Sequence, residues 1–358
     1  MGITRLFDRE PFRLKDRKAQ EIALARPEQE THLTQRRDRV KKYLMRYMRQ
    51  YLFNELTAER RAELGLPEIF SGVSIPFRHE DLEQVKNGLG VRTNVLAENM
   101  ARVLGIDPHF KYREPYVEFI TVVFGAKATD NLTRKAKDLA DAERYEEACI
   151  CFRAALVLDW KDIAGMYGYA KVLRKLYEKG NTEEAVGNMK AESFDYFEML
   201  TELYPRFESG WYYLGYMYLN MGLYAKARLA WQRFLETSRI EKDKKEIRQR
   251  IRQIEEPVRI ESGYNAALAG RWDEAIETLE PYRDSVYRDW WPLWYYLGVA
   301  YAHVGRPEDA ISAFKDALKG NPRHIESMEE LALLYKAKGD RANAKKYADK
   351  AKLIRGKA

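Results

Sequence analysis

Cysteine is nearly absent, with only Cys149 and Cys151 in 358 residues. Two thiols build no disulfide framework. Their two-residue offset sets them about 200° apart around a helix, so there they neither bridge nor share a metal. They read as small buried apolar side chains in a reducing compartment. Histidine is scarce too: His32, His79, His109, His303 and His324 form no HExxH pair, and none joins a cysteine at metal spacing. Gly88-Leu89-Gly90 lacks the third glycine of a dinucleotide fingerprint, and there is no phosphate-loop glycine-lysine pattern and no GxSxG elbow. Glu183 and Glu184 read as a solvated helix surface. No residue is assigned to catalysis, to a cofactor or to a metal, and the expectation is a protein that is not an enzyme. No apolar run reaches the roughly 18 residues of a membrane helix. Residues 1–18 carry Asp8, Glu10 and Asp16 in place of an apolar core, which is unlike a secretory signal or a transit peptide. Leu6 stands where a myristoylation signal wants Ser or Thr. The expected location is cytoplasmic.

Aromatics and charge are plentiful. There are 24 Tyr and 7 Trp beside only 12 Pro, which favours helices packed through rings. Residues 1–62 hold 16 Lys/Arg against 9 Asp/Glu, so this segment carries the whole net charge of +7 and the remainder balances. Such asymmetry points to an acidic partner for the N-terminal segment.

The clearest internal pattern lies in residues 291–324: Trp294, Leu297, Gly298, Tyr301, Gly305, Ala310, Phe314, Ala317 and Pro322. Trp294, Leu297 and Tyr301 share one face of a first helix. Gly298 lets a neighbouring helix come close. Gly305 ends that helix and Pro307 suits the first turn of the next. Ala310, Phe314 and Ala317 repeat the spacing on a second helix, which Pro322 stops. Met328, Leu331, Ala332, Tyr335, Gly339, Ala344, Ala348 and Ala351 follow at an offset of 34 residues. Gly263, Ala266, Gly270, Trp272, Ala275 and Leu279 precede at an offset of 35. Trp211, Leu214, Gly215, Tyr218, Gly222, Ala227, Trp231 and Phe234 match as well. Two weaker sets come earlier: Leu132, Ala136, Leu139, Tyr145, Ala148, Phe152 and Ala155, then Met166, Tyr169, Ala170, Leu173, Phe197, Leu200 and Pro205. The recurrence resembles the tetratricopeptide repeat (TPR) family over residues 129–354. The resemblance implies an all-α fold, a right-handed α-solenoid of about six helix pairs, near 129–162, 163–207, 208–255, 256–290, 291–324 and 325–354. Two spacings depart from it. The second repeat is stretched around Gly180-Asn181-Thr182. Ile240, Ile247, Ile251 and Ile254 among Lys and Arg predict a lengthened or extra helix over 240–255.

The resemblance also implies a function: binding of a partner segment along the first helices, which line the concave side. Carried over by register, the contact positions are Tyr167, Lys171, Arg174 and Lys175, then Tyr212, Tyr216 and Asn220, then Tyr264, and last Tyr295 and His303. Tyrosine offers contact area at low entropic cost, and lysine and arginine recognise carboxylates. The expected partner is a protein or peptide with aromatic or apolar residues and some acidity. The other reading makes several of these tyrosines spacers between repeats. Thr133 and Lys137 depart from the carboxylate clamp of chaperone-tail binders. Self-association is open, because end repeats are exposed.

Before the repeats, residues 1–31 are polar and predict an extended arm. Residues 32–128 predict a helical N-terminal domain. Within it, Val40, Tyr43, Leu44, Tyr47, Met48, Tyr51 and Leu52 make an apolar stripe over 32–57, faced by Arg36, Arg37, Arg39, Lys42, Arg46 and Arg49. This basic amphipathic helix fits a nucleic-acid, membrane-surface or acidic-protein contact, or else a helix docked on its neighbours. Residues 65–76 read as a loop. Residues 79–104 have a helix–turn–helix outline, but the second helix has Arg102 as its only basic residue, too few for reading a major groove. Residues 116–124 read as a helix leading into the repeats. An adaptor or assembly scaffold is the expected function. A peptide-responsive transcription regulator with DNA-binding N-terminal helices, and a membrane-surface assembly factor, are the alternatives.

Overall fold

A computed structural model describes residues 38–63, 70–81, 91–180 and 182–356. The expected 1–31 arm, Arg36 and Arg37, and the first half of the helix–turn–helix outline lie outside these residues. The chain divides into two compact units, residues 1–210 and 211–358.

In the first unit the basic amphipathic stripe is helical only in part. Helix α1 (Lys41–Leu44) passes into a 3-10 turn (Met45–Gln50) and then into strand β1 (Tyr51–Glu55). The stripe over 32–57 counted Tyr51 and Leu52 as helical. The aromatic run Tyr51-Leu52-Phe53 suits a strand better, and it has a partner to pair with. That partner is β2 (Ser74–Arg78), antiparallel, with Tyr51 opposite Arg78 and Phe53 opposite Pro76. The expected loop over 65–76 therefore ends in a strand. Helix α2 (Ala58–Glu63) lies between the two strands in sequence. Helices α3 (Thr93–Ile106) and α4 (Arg113–Phe124) follow. Ten residues of α3 are buried, Leu96 to Ile106 without Glu98.

Two helix pairs complete this unit: α5 (Ala128–Asp141) with α6 (Tyr145–Leu158), and α7 (Ile163–Glu178) with α8 (Glu183–Leu203). The stretch in the second repeat is the 21-residue α8. The N-terminal elements pack as one body with these repeats. At Gly105 of α3 an added Cβ would sit 2.0 Å from the Ile150 carbonyl oxygen of α6, so only glycine allows this approach.

The second unit holds α9 (Glu208–Asn220) with α10 (Tyr224–Thr237), the inserted α11 (Glu241–Gln253), α12 (Glu255–Leu268) with α13 (Trp272–Leu279), α14 (Trp291–His303) with α15 (Pro307–Gly320), and α16 (Ile325–Ala337) with α17 (Arg341–Arg355). One core runs from Ile260 on α12 through Leu297, Tyr301 and Phe314 to Leu331 and Tyr335 on α16. The repeat pattern has a direct physical meaning here. A Cβ at Gly215, Gly263 or Gly298 would come within 2.3, 2.5 and 2.8 Å of Trp231, Leu279 and Phe314 respectively. Each large side chain fills the space its glycine vacates.

The turns inside the pairs are also one device. After α14, the Gly305 N–H bonds to the Ala302 carbonyl and the Arg306 N–H to the Tyr301 carbonyl. Gly222 with Leu223, Gly270 with Arg271, and Gly339 with Asp340 repeat this pairing. It is a Schellman close, which needs positive φ at its first residue. The fold is thus all-α in its repeats, with one two-stranded sheet among the described N-terminal residues.

Candidate functional site

Three of the six basic-face residues, Arg39, Lys42 and Arg46, pair with carboxylates of the same chain. The Arg39 guanidinium lies 2.6 Å from Asp195 and 3.4 Å from Glu192 on α8. Lys42 pairs with Glu184 on α8, and Arg46 with Glu146 on α6, which also accepts from the Tyr47 hydroxyl at 2.6 Å. Arg49 is exposed. The anchor of this segment is Asp38. Arg153 on α6 is fully buried and donates to Asp38 at 2.5 Å and 3.1 Å, to the Gly105 carbonyl at 2.7 Å and to the Tyr169 hydroxyl at 3.2 Å. Burial pushes the Asp38 carboxyl up, but Arg153 and the Lys41 and Val40 N–H groups outweigh it and hold it below the usual range. Arg39, Lys42 and Arg46 accordingly face carboxylates of their own chain. Sequence could not reveal this, because the partners lie over 100 residues away or nearly so.

The only basic residue of the expected recognition helix is also committed. Arg102 is buried on α3, where it donates to the Tyr51 hydroxyl at 3.1 Å and pairs with Glu147 at 3.2 Å. Ten of the fourteen residues of α3 are buried, so only its first turn and Glu98 stay open to solvent.

Of the groove residues, Tyr167, Lys171, Arg174 and Lys175 come together on one face of α7. The Lys171 ammonium lies 5.0 Å from the Tyr167 ring centre. Tyr167 meets Phe207 and Phe197 edge-on at 5.2 and 6.5 Å. Arg174 and Lys175 each reach Glu178, at 3.8 and 3.4 Å. Burial, then Arg174, and further Lys137 and Lys175, push Lys171 down to about 8, with Asp141 opposing. Lys137 and Asp141, both on α5, are the members of this cluster that the register argument did not select.

The third-repeat tyrosines do not line an open face. The inserted α11 lies over them: Glu246 accepts from the Tyr212 hydroxyl at 3.2 Å and from Tyr216 at 2.7 Å, and the Arg250 guanidinium lies 5.9 Å from the Tyr216 ring centre. Ile247 of α11 is fully buried. Burial first, then Glu246, push the Tyr216 phenol up to about 12. Asn220 is exposed.

Further along, Tyr264 stacks on Tyr296 at 4.6 Å and meets Trp290 at 5.9 Å, and its buried hydroxyl has no hydrogen-bond partner among the described residues. Tyr295 packs edge-on against His324 at 4.7 Å. Its phenol is raised by burial and then by Glu330 and Glu326, so its surroundings are acidic rather than basic. His303 stacks flat on Trp272 at 4.0 Å. Of the ten groove residues, four make a cation–aromatic face on α7 in the first unit, and six lie in the second unit, where Tyr212 and Tyr216 share Glu246.

Among the described residues no group of three or more His, Cys, Asp or Glu could hold a metal, and no helix is long and apolar enough to cross a membrane. Cys149 and Cys151 are buried free thiols, and burial pushes Cys149 up to about 12.

Three family models, each described as a tetratricopeptide repeat, match residues 210–237, 291–334 and 325–357. No curated protein matches. Among solved structures, MamA is 19% identical, with 49% of this chain and 94% of that chain covered and a TM-score of 0.30. The TPR domain of P58(IPK) is 21% identical, with 62% and 59% covered and a TM-score of 0.36. A tetratricopeptide repeat protein from Parabacteroides merdae is 14% identical, with 77% and 91% covered and a TM-score of 0.31.

Proposed function

Because this chain is a tetratricopeptide-repeat protein, we propose that it is a non-catalytic adaptor that holds an acidic segment of a partner protein against α7. The observation that carries this reading is the Lys171 ammonium over the Tyr167 ring, with Arg174, Lys175 and Lys137 near enough to act on its charge. Guanidinium and ammonium groups take carboxylates, and the ring takes an aromatic or apolar side chain between them. Buried free thiols fit a reducing compartment, and the cytoplasm is the location that goes with this role.

The test is a peptide array probed with the full chain. Peptides that combine Asp or Glu with Phe or Leu bind, and a Lys171→Glu/Arg174→Glu variant loses that set while Tyr295→Ala keeps it. An anion beside Lys171 raises its proton affinity, so binding near pH 8 takes up protons. Calorimetry in buffers of different ionisation enthalpy measures that uptake. Equal binding of acidic and neutral peptides, or no uptake, overturns the reading.

A further inference from the structure

Among the described residues, the N-terminal sheet has one guarded edge and one open edge. On β2, the Ser74 carbonyl accepts from the Tyr116 hydroxyl at 2.5 Å, the Pro76 carbonyl from Asn99 at 3.2 Å, and the Arg78 N–H donates to Asp81 at 2.9 Å. These three alternate residues point their backbone groups away from β1. Pro76 is tolerated there because its missing N–H is not asked for by the ladder. Their partners in register are Glu55, Phe53 and Tyr51. In an antiparallel pair, residues opposite each other either both turn their backbone groups inward or both turn them outward. The backbone groups of Tyr51, Phe53 and Glu55 therefore face away from β2. The Tyr51 N–H agrees, since it bonds back to the Met48 carbonyl.

Nothing among the described residues pairs with the Phe53 or Glu55 backbone. Of the usual guards β1 carries only Glu55. It has no lysine and no proline, Leu52 is 46% exposed, and Phe53, whose ring packs on Phe110 at 5.4 Å, is 37% exposed.

We propose that β1 is a self-pairing edge that joins two copies of this chain, antiparallel about a two-fold axis at Phe53. The register decides the occupant. Centred on Phe53, the five-residue strand places Phe53 opposite Phe53 of the second copy, Leu52 opposite Asn54, and Tyr51 opposite Glu55. Phe53 then exchanges both backbone bonds with its counterpart, and each Glu55 N–H donates to the Tyr51 carbonyl across the axis. The Tyr51 N–H, already taken by Met48, is not needed. No like charges face each other, since each Glu55 meets a tyrosine. One patch serves both copies, which is the condition for a closed dimer rather than a fibre. The result is a four-stranded sheet, β2–β1 joined to β1–β2, whose outer edges are already capped by Tyr116, Asn99 and Asp81.

The test uses the full chain. Phe53→Cys places two thiols in a hydrogen-bonded pair with Cα atoms about 5.5 Å apart, within disulfide reach. Mild oxidation then traps a dimer against a low background, because Cys149 and Cys151 are fully buried. Asn54→Cys is the register control. It lies opposite Leu52 and not itself, so it gives little dimer. Phe53→Lys, which sets like charges across the axis, shifts wild-type dimer to monomer in sedimentation equilibrium, with circular dichroism confirming the fold. A monomer at all concentrations, equal trapping in both cysteine variants, or a dimer that survives Phe53→Lys overturns the proposal.

Discussion

Replacing Glu143 by glycine should stabilise the first repeat. Glu143 is the one non-glycine residue at positive φ among the described residues, at 57°. It closes α5 as Gly222, Gly270, Gly305 and Gly339 close later helices, at φ 73°, 74°, 78° and 79°. The bonds are the same too, from the Glu143 N–H to Ala140 and from the Arg144 N–H to Leu139. A side chain in this conformation costs about 1–2 kcal/mol. Glycine recovers that but loses roughly 0.4–1 kcal/mol to its freer unfolded chain. The exposed Glu143–Lys179 pair at 3.1 Å adds at most a few tenths. The net gain is on the order of 0.5 kcal/mol, which is about a twofold change in an opening equilibrium. Repeat arrays do not unfold as one step, so a global midpoint is a poor gauge. Native-state exchange of the Arg144 amide reads the turn itself. Glu143→Gly should slow it about twofold, and Glu143→Ala, which keeps the β-carbon, should not. Equal slowing by alanine, or faster exchange in the glycine variant, refutes the strain argument.

Asp38→Ala leaves the fully buried Arg153 without its carboxylate and should lower the opening free energy of α6 by roughly 3 kcal/mol in native-state hydrogen exchange; a small loss means the N-terminal segment is not docked. Asp162 caps α7 through the Gly165 N–H, and burial raises its pKa to about 6. The folded state therefore binds this proton more tightly than the unfolded chain, so the ionised carboxylate destabilises the fold above about pH 6 and that burden lifts as pH falls toward 4. Asp162→Asn keeps the cap acceptor and should slow native-state exchange at the start of α7 relative to wild type at pH 7, with the difference shrinking toward pH 4. Glu246→Ala removes the shared acceptor of Tyr212 and Tyr216; ultraviolet titration should find the Tyr216 phenol moved from about 12 toward its ordinary value, and exchange in α11 should quicken.

The helix pairs were legible because their signals are local. Trp294, Leu297 and Tyr301 fall on one face by spacing alone, Gly298 marks a contact that tolerates no side chain, and Gly305 marks a turn that needs positive φ. The stripe at 240–255 was legible as a helix for the same reason. Its place was not: that Glu246 would sit between Tyr212 and Tyr216 depends on how the chain returns on itself. The α7 cluster was half legible. Lys171, Arg174 and Lys175 share a face by register, but Lys137 and Asp141 arrive from another helix. At Tyr51 a helical apolar stripe and a strand-forming aromatic run coincide, and periodicity cannot choose between them.

Taken alone, the amino-acid order determined a repeating all-α architecture, the residues at its close contacts, and an excess of positive charge near the start. Tertiary structure decided what Arg39, Lys42 and Arg46 face. Arg39 and Asp195 lie 156 positions apart in sequence, and no local pattern ties one to the other. It also decided which tyrosines stay accessible, and that one edge of a small sheet has no partner among the described residues. Spacing along a chain sets which side chains share a face; only the path of the chain sets what that face meets.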